Sequence, residues 1–261
     1  MTNSARRLAQ QLLLISSPQE KAAAVLLLEP ASLSIDPAEL IEEPANLPGR
    51  PLKPVLVHPG QLKHRAVGTR EGRGALIHAL THIEANAVNL ALDVIWRFPG
   101  MPERFYRDWL KVAQEEALHF QLLAGHLAGI GYEYGDLPAH DGLWEMAEKT
   151  RGDLLARLAL VPRTLEARGL DASLPIRNKL ISVGDKKGAD ILDIILRDEI
   201  GHVAIGNHWY RHLCTLRELD PVSTYANLAK AYGARKLSGP FNMEARRAAG
   251  FDEAELAQLC A

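Results

Sequence analysis

Two short stretches pair a carboxylate with an imidazole three residues apart. They are Glu115-Glu116-Ala117-Leu118-His119 and Asp198-Glu199-Ile200-Gly201-His202. On an α-helix, residues i and i+3 share a face, so Glu116 with His119, and Glu199 with His202, can each grip one metal ion. A single Glu-x-x-His is a weak motif. Here it occurs twice, with an acid before each glutamate and a lone glutamate upstream. Glu84 precedes Glu116 by 32 residues (116 − 84) and Glu166 precedes Glu199 by 33 (199 − 166), each inside an otherwise apolar helical pattern. Two such pairs, plus one glutamate from each of two further helices, make the donor set of a carboxylate-bridged dinuclear centre in a four-helix bundle.

Unpartnered buried carboxylates would each cost several kcal/mol or take up a proton. Two divalent ions balance four glutamates, and neutral imidazoles add nitrogen donors without changing the sum. Oxygen and imidazole donors suit iron or manganese, and open positions beside the ions admit dioxygen or peroxide. Glu115 and Asp198 are candidates to hold the free ring N–H of the histidine on the opposite helix, with plain solvent exposure as the rival reading. His82, Trp109, Phe120 and Trp209 are candidate pocket residues, against the alternative of ordinary core packing. The competing reading of the whole set is six buried ion-pairing groups, but few Lys or Arg stand where they would pair.

The elements that must carry these groups are legible. Residues 4 to 28 read as one or two short helices, with Ser17 as N-cap, Pro18 at the first position and Glu20 at the third. Seven prolines between 29 and 60 indicate an extended strap. From Arg50 to Arg73 this strap is basic, either a solvated segment or an anion-binding lip. A first long helix is expected over about 74 to 97 and a second over about 103 to 129, hinged at Phe98-Pro99-Gly100-Met101-Pro102. Glu84 lies sixteen residues before Gly100 and Glu116 sixteen after it (100 − 84 and 116 − 100), which levels them on antiparallel neighbours. Residues 131 to 141 form a long connection. A third helix should run from about 142 to 168, kinked at Pro162, ended by Gly169, Asp171 and Pro175, and followed by a short insert. A fourth spans about 186 to 219. The tail carries a helix, the turn Gly239-Pro240-Phe241-Asn242 and a basic patch of Arg235, Lys236, Arg246 and Arg247. Three regions follow: 1–70 helices and strap, 71–219 bundle, 220–261 helical tail.

The 261 residues, 47% hydrophobic, suffice for a full core, and a net charge of −2 gives no general pull toward nucleic acid or anionic membrane. No apolar run approaches the roughly 18 residues of a membrane span. The two cysteines, Cys214 and Cys260, form no disulfide framework or Cys-x-x-Cys motif, which fits a cytoplasmic protein, with Cys214 a small core residue.

These stretches, with Ala79-Leu80-Thr81-His82-Ile83-Glu84 and Leu165-Glu166-Ala167-Arg168-Gly169-Leu170-Asp171, resemble the ferritin-like superfamily. Within it the chain is similar to the bacterial domain-of-unknown-function family 455, over roughly residues 50 to 250. The resemblance implies an all-α ferritin-like four-helix bundle with metal ligands Glu84, Glu116, His119, Glu166, Glu199 and His202, of which Glu116 and Glu199 bridge. Members of the superfamily share a site but not a reaction, so the substrate does not follow from it. The expected activity is that of an oxidoreductase whose two iron ions, or an Mn-Fe or Mn-Mn pair, activate dioxygen to hydroxylate or oxidise a small molecule, with a separate electron donor. One alternative is a ferroxidase or peroxide scavenger without organic substrate. Another is a helical interaction protein with a structural metal. A tRNA substrate would rest on the basic stretches 50–73 and 235–247 alone.

Overall fold

Short polar side chains start the helices. Ser4, Ser17, Thr69, Asp153 and Asp185 each accept a hydrogen bond from the backbone N–H three residues on, at Arg7, Glu20, Gly72, Ala156 and Gly188. The computed structural model describes residues 4–63 and 65–259, among which every regular element is helical and no strand forms. Met1, Thr2, Asn3 and Cys260 lie outside the described residues. Two units separate, one up to Trp144 and one from Glu145.

In the first unit, α1 (Ala5–Leu13) and α2 (Pro18–Leu26) occupy the predicted N-terminal stretch. The proline-rich strap follows, irregular apart from the short 3-10 turns Pro30–Ser32 and Pro59–Gln61. Helix α3 (Arg70–Arg97) begins at Arg70 rather than near Gly74 because Thr69 caps it, and α4 (Glu103–Gly129) has the expected bounds. The five-residue hinge folds α4 back along α3. Helix α1 packs on α3, and α2 packs chiefly on α4. Arg6, itself buried, donates from Nε to Ile95 O (3.2 Å) and from Nη2 to Trp96 O (2.8 Å), satisfying carbonyls at the end of α3 where a cation also suits the helix dipole. So enclosed, α3 is buried on all sides from Glu84 to Trp96.

In the second unit the expected third helix is corrected at both ends. Helix α5 (Gly142–Lys149), at the junction of the units, stops before Thr150-Arg151-Gly152, and α6 (Leu154–Leu160) starts afresh under the Asp153 cap. Pro162 produces no simple kink. The wider π-helical segment Val161–Glu166 takes up the missing N–H, and Thr164 Oγ1 donates to Ala159 O at 2.8 Å across that turn. Nor does the helix end near Arg168. It continues as α7 (Ala167–Ser182) with Pro175 inside it, so no separate insert exists. An interior proline costs about 3 kcal/mol in isolation, but tertiary bonds hold this stretch. Asn242 Nδ2 donates to Leu170 O (3.2 Å), and Arg246 pairs with Asp171 at 2.6 Å.

Helix α8 (Lys186–Leu216) returns against α7 after the short turn at Gly184. The tail holds three helices where one was expected: α9 (Pro221–Ala231), α10 (Met243–Ala248) and α11 (Glu253–Leu259). Ala245, Ala249, Phe251 and Leu256 of the tail bury Ala167, Leu170 and Val203. Cys214 is buried, as expected of a small core residue. Among the described residues no helix is long and apolar enough to cross a membrane.

Candidate metal centre

The levelling of Glu84 and Glu116 across the hinge brings three donor groups of the first unit together. Glu84 from α3, with Glu116 and His119 from α4, place potential ligand atoms within 4.8 Å of one another, all three side chains being buried. His119 Nδ1 lies 3.3 Å from Glu116 Oε2 and 3.5 Å from Glu84 Oε2. Burial, and then the neighbouring Glu116 carboxylate, push the Glu84 pKa up to about 8. Burial opposes charge on His119, yet hydrogen bonds to Glu116 and Glu84 outweigh it and raise its pKa to about 12. At neutral pH the imidazolium thus sits between the Glu116 carboxylate and the protonated Glu84 carboxyl, and supplies the positive charge that Glu116 requires. A divalent cation would do the same with greater charge, after displacing that proton. Two carboxylate oxygens and an imidazole nitrogen are a donor set suited to iron or manganese.

The second unit repeats the i, i+3 arrangement on α8. Glu199 and His202 are both buried, with His202 Nδ1 3.9 Å from Glu199 Oε2. Gly169 and Glu199 stand fifteen residues before and after Gly184 (184 − 169 and 199 − 184), and a Cβ on Gly169 would lie 3.9 Å from Glu199 Cδ. Glu166, the last residue of the π segment, is one turn from that glycine. It is half-buried, and among the described residues it does not come within the same 4.8 Å of two other potential ligands. Along their own helices Glu115 pairs with Lys111 Nζ and Asp198 with Arg197 Nε (2.8 Å).

Of the candidate pocket residues, His82 and Phe120 line a cavity of about 40 Å³ in the first unit, whereas Trp109 and Trp209 do not. Trp109 packs edge-on against Phe105, and Trp209 sits between the rings of His208 and His212. Arg50, from the basic strap, and Lys21, Asn86, Asn89 and Tyr134, none of these four singled out from the sequence, supply the rest of the polar wall. His82 donates from Nε2 to His140 O (3.1 Å), which leaves Nδ1 to accept from Tyr134 Oη (2.9 Å). Burial pulls the His82 pKa down to about 4, so this ring stays neutral, and burial raises that of Tyr134. Lys21 donates to Leu13 O (3.1 Å), Gly49 O (3.4 Å) and Asn89 Oδ1 (2.5 Å). Its pKa is lowered to about 7, first by burial and then by Arg50. A signal for part of this wall was present: His82, Asn86 and Asn89 form an i, i+4, i+7 polar stripe on an otherwise apolar helix.

The family profile described as protein of unknown function (DUF455) matches residues 14–257. The chain belongs to this family. A member from Haemophilus influenzae, described only as an uncharacterized protein, is 48% identical over 218 residues, covering 81% of this chain and 76% of its own length. No solved structure matches. Membership therefore brings no assigned reaction, and the chemistry of this DUF455 protein must be argued from its donor groups.

Proposed function

We propose that Glu84, Glu116 and His119, together with Glu199, His202 and Glu166, hold a dinuclear iron centre in a ferritin-like four-helix bundle, and that the protein is an oxidoreductase. The observation that carries this reading is the buried Glu84–Glu116–His119 cluster, whose potential ligand atoms lie within 4.8 Å. The matching Glu199–His202 pair and the two hairpins, α3 with α4 and α7 with α8, support a second half-site. Two ferrous ions, when bound, would supply the electrons that reduce dioxygen or peroxide.

Phe120 follows His119 on α4 and His82 precedes Glu84 by two residues on α3, so the cavity they line lies beside those two helices. Phe120 and the Tyr134 ring, 5.6 Å away and edge-on, wall the cavity. His82, neutral and fixed by His140 O and Tyr134 Oη, orients the polar face without adding charge.

The cavity of about 40 Å³ in the first unit is lined by none of the six proposed metal-holding residues. It accommodates water, dioxygen or peroxide, far below the roughly 300 Å³ at which pockets for organic ligands begin. Ferroxidase or peroxide-reducing chemistry without an organic substrate is the second form of the reading.

Metal analysis of anaerobically purified protein, then mixing with dioxygen or hydrogen peroxide while following absorbance, tests the proposal. About two iron or manganese ions per chain are expected, with faster spectral change for one oxidant naming the preferred one. Protein that takes up neither metal overturns it.

A further inference from the structure

The second unit contains a cavity of about 300 Å³, remote in chemistry from the carboxylate clusters. Its wall carries five basic side chains, Arg163, Lys230, Arg235, Lys236 and Arg246, against one acid, Glu255. That acid is already shared: Arg163 Nη2 reaches Glu255 Oε1 at 2.8 Å, and Arg211 takes Oε2. Arg246 has Asp171 behind it. Lys230, Arg235 and Lys236 are exposed and make no ion pair among the described residues.

The two deeper arginines are the unusual feature. Arg163 is 3% exposed and Arg246 0%, yet Arg163 Nε and Nη1 and Arg246 Nη1 have no hydrogen-bond acceptor among the described residues. Buried donors are nearly always paired, and a buried guanidinium with free donors indicates a missing acceptor or an uncompensated field. Aromatic rings hold both planes in place. Arg163 lies 4.4 Å from the Tyr210 centroid and 5.0 Å from that of Phe251, and Arg246 lies 5.4 Å from Phe251. Buried guanidinium groups behind exposed lysine and arginine side chains form a gradient of positive potential that attracts anions.

We propose that this pocket binds a small organic molecule bearing a phosphate group. Phosphate is favoured over carboxylate because several cations stand against one shared acid, an excess that suits a dianion. The volume is that of a small-molecule site, and Tyr225, Ala229 and Leu237 in the wall offer an apolar surface to the organic part. None of the candidate metal-holding residues lines it, so the proposal stands or falls apart from the redox reading.

Calorimetric titration of the full chain with phenyl phosphate and, in parallel, benzoate provides the test, with metal content measured before and after. One site is expected, binding phenyl phosphate about tenfold or more tighter than benzoate and weakening as salt is raised. The exposed double variant Arg235→Glu/Lys236→Glu should lose about tenfold or more in affinity while keeping the wild-type melting profile. Arg163→Lys, which keeps the charge but loses the planar fork, should weaken phenyl phosphate more than benzoate. Absence of heat and of any melting shift at millimolar phenyl phosphate overturns the proposal. So does equal binding of benzoate, or affinity unchanged in the double variant.

Discussion

His119 Nδ1 lies 3.5 Å from Glu84 Oε2, joining α4 to α3 across 35 residues of sequence (119 − 84). This contact and its partner at Glu116 identify the donors whose removal should matter most. Truncating His119 to Ala leaves two buried carboxylates without their imidazole, and Glu84→Gln removes one anionic donor. Each should lower metal affinity by at least the 10- to 100-fold typical of lost supporting groups. Metal per chain after dialysis against a weak chelator measures it, and retention at the wild-type level would separate this cluster from metal binding.

Metal loading should depend on pH in a defined sense. In the metal-free protein both Glu84, with its pKa near 8, and His119, near 12, hold protons at neutral pH. A cation bound by them releases those protons, so affinity should rise between pH 6 and 8, by about tenfold per pH unit for each proton lost. Proton release in weakly buffered titrations should match that slope.

Lys21 predicts a stability effect of its own. Its folded pKa of about 7 lies below the 10.5 of an ordinary lysine. Between those values the unfolded chain binds a proton that the folded chain lacks, so folding is stabilised as pH rises through this window, and the full cost is present below it. The effect is on the order of 5 kcal/mol at most. Urea unfolding from pH 7 to 10 should show this rise in the wild-type protein relative to Lys21→Met, whose curve lacks the contribution.

Two glycines of α8 should respond oppositely to alanine. A Cβ on Gly206 would stand 2.6 Å from Pro162 Cβ in the π segment, whereas one on Gly201 meets nothing within 4 Å. Gly206→Ala should destabilise by about 1–3 kcal/mol through overpacking, and Gly201→Ala should be neutral or stabilise by up to about 1 kcal/mol. Thermal melts of the two variants give the comparison.

Tyr134→Phe removes the hydroxyl that His82 Nδ1 accepts from. The loss should be about 1–3 kcal/mol, since the ring nitrogen is left buried without its donor. If His82 orients the cavity, the rate of spectral change on oxidation should also fall in this variant while metal content stays at the wild-type value.

Much of the helical plan is written locally. Caps such as Ser17 and Asp185, the hinge at Pro99 and Gly100, and the i, i+3 pairs all depend on residues a few positions apart, so their geometry follows from helix periodicity. The levelling of Glu84 with Glu116 needs only a constant rise per residue and a short turn. Where local rules and packing conflict, the sequence misleads. Pro175 reads as a helix end, but bonds from Asn242 and Arg246 to α7 outweigh its local penalty. Pro162 reads as a kink, but Gly206 gives it room and Thr164 bridges the widened turn.

By itself, then, the sequence determined that this chain is helical and which glutamates and histidines stand at chemically useful spacings. Only the tertiary structure decided that Tyr134 closes over His82, that Lys21 is buried against Asn89, and that five cations gather around one pocket. Spacing along a helix is fixed by the backbone, whereas burial and potential arise from groups far apart in sequence whose approach is set by packing alone.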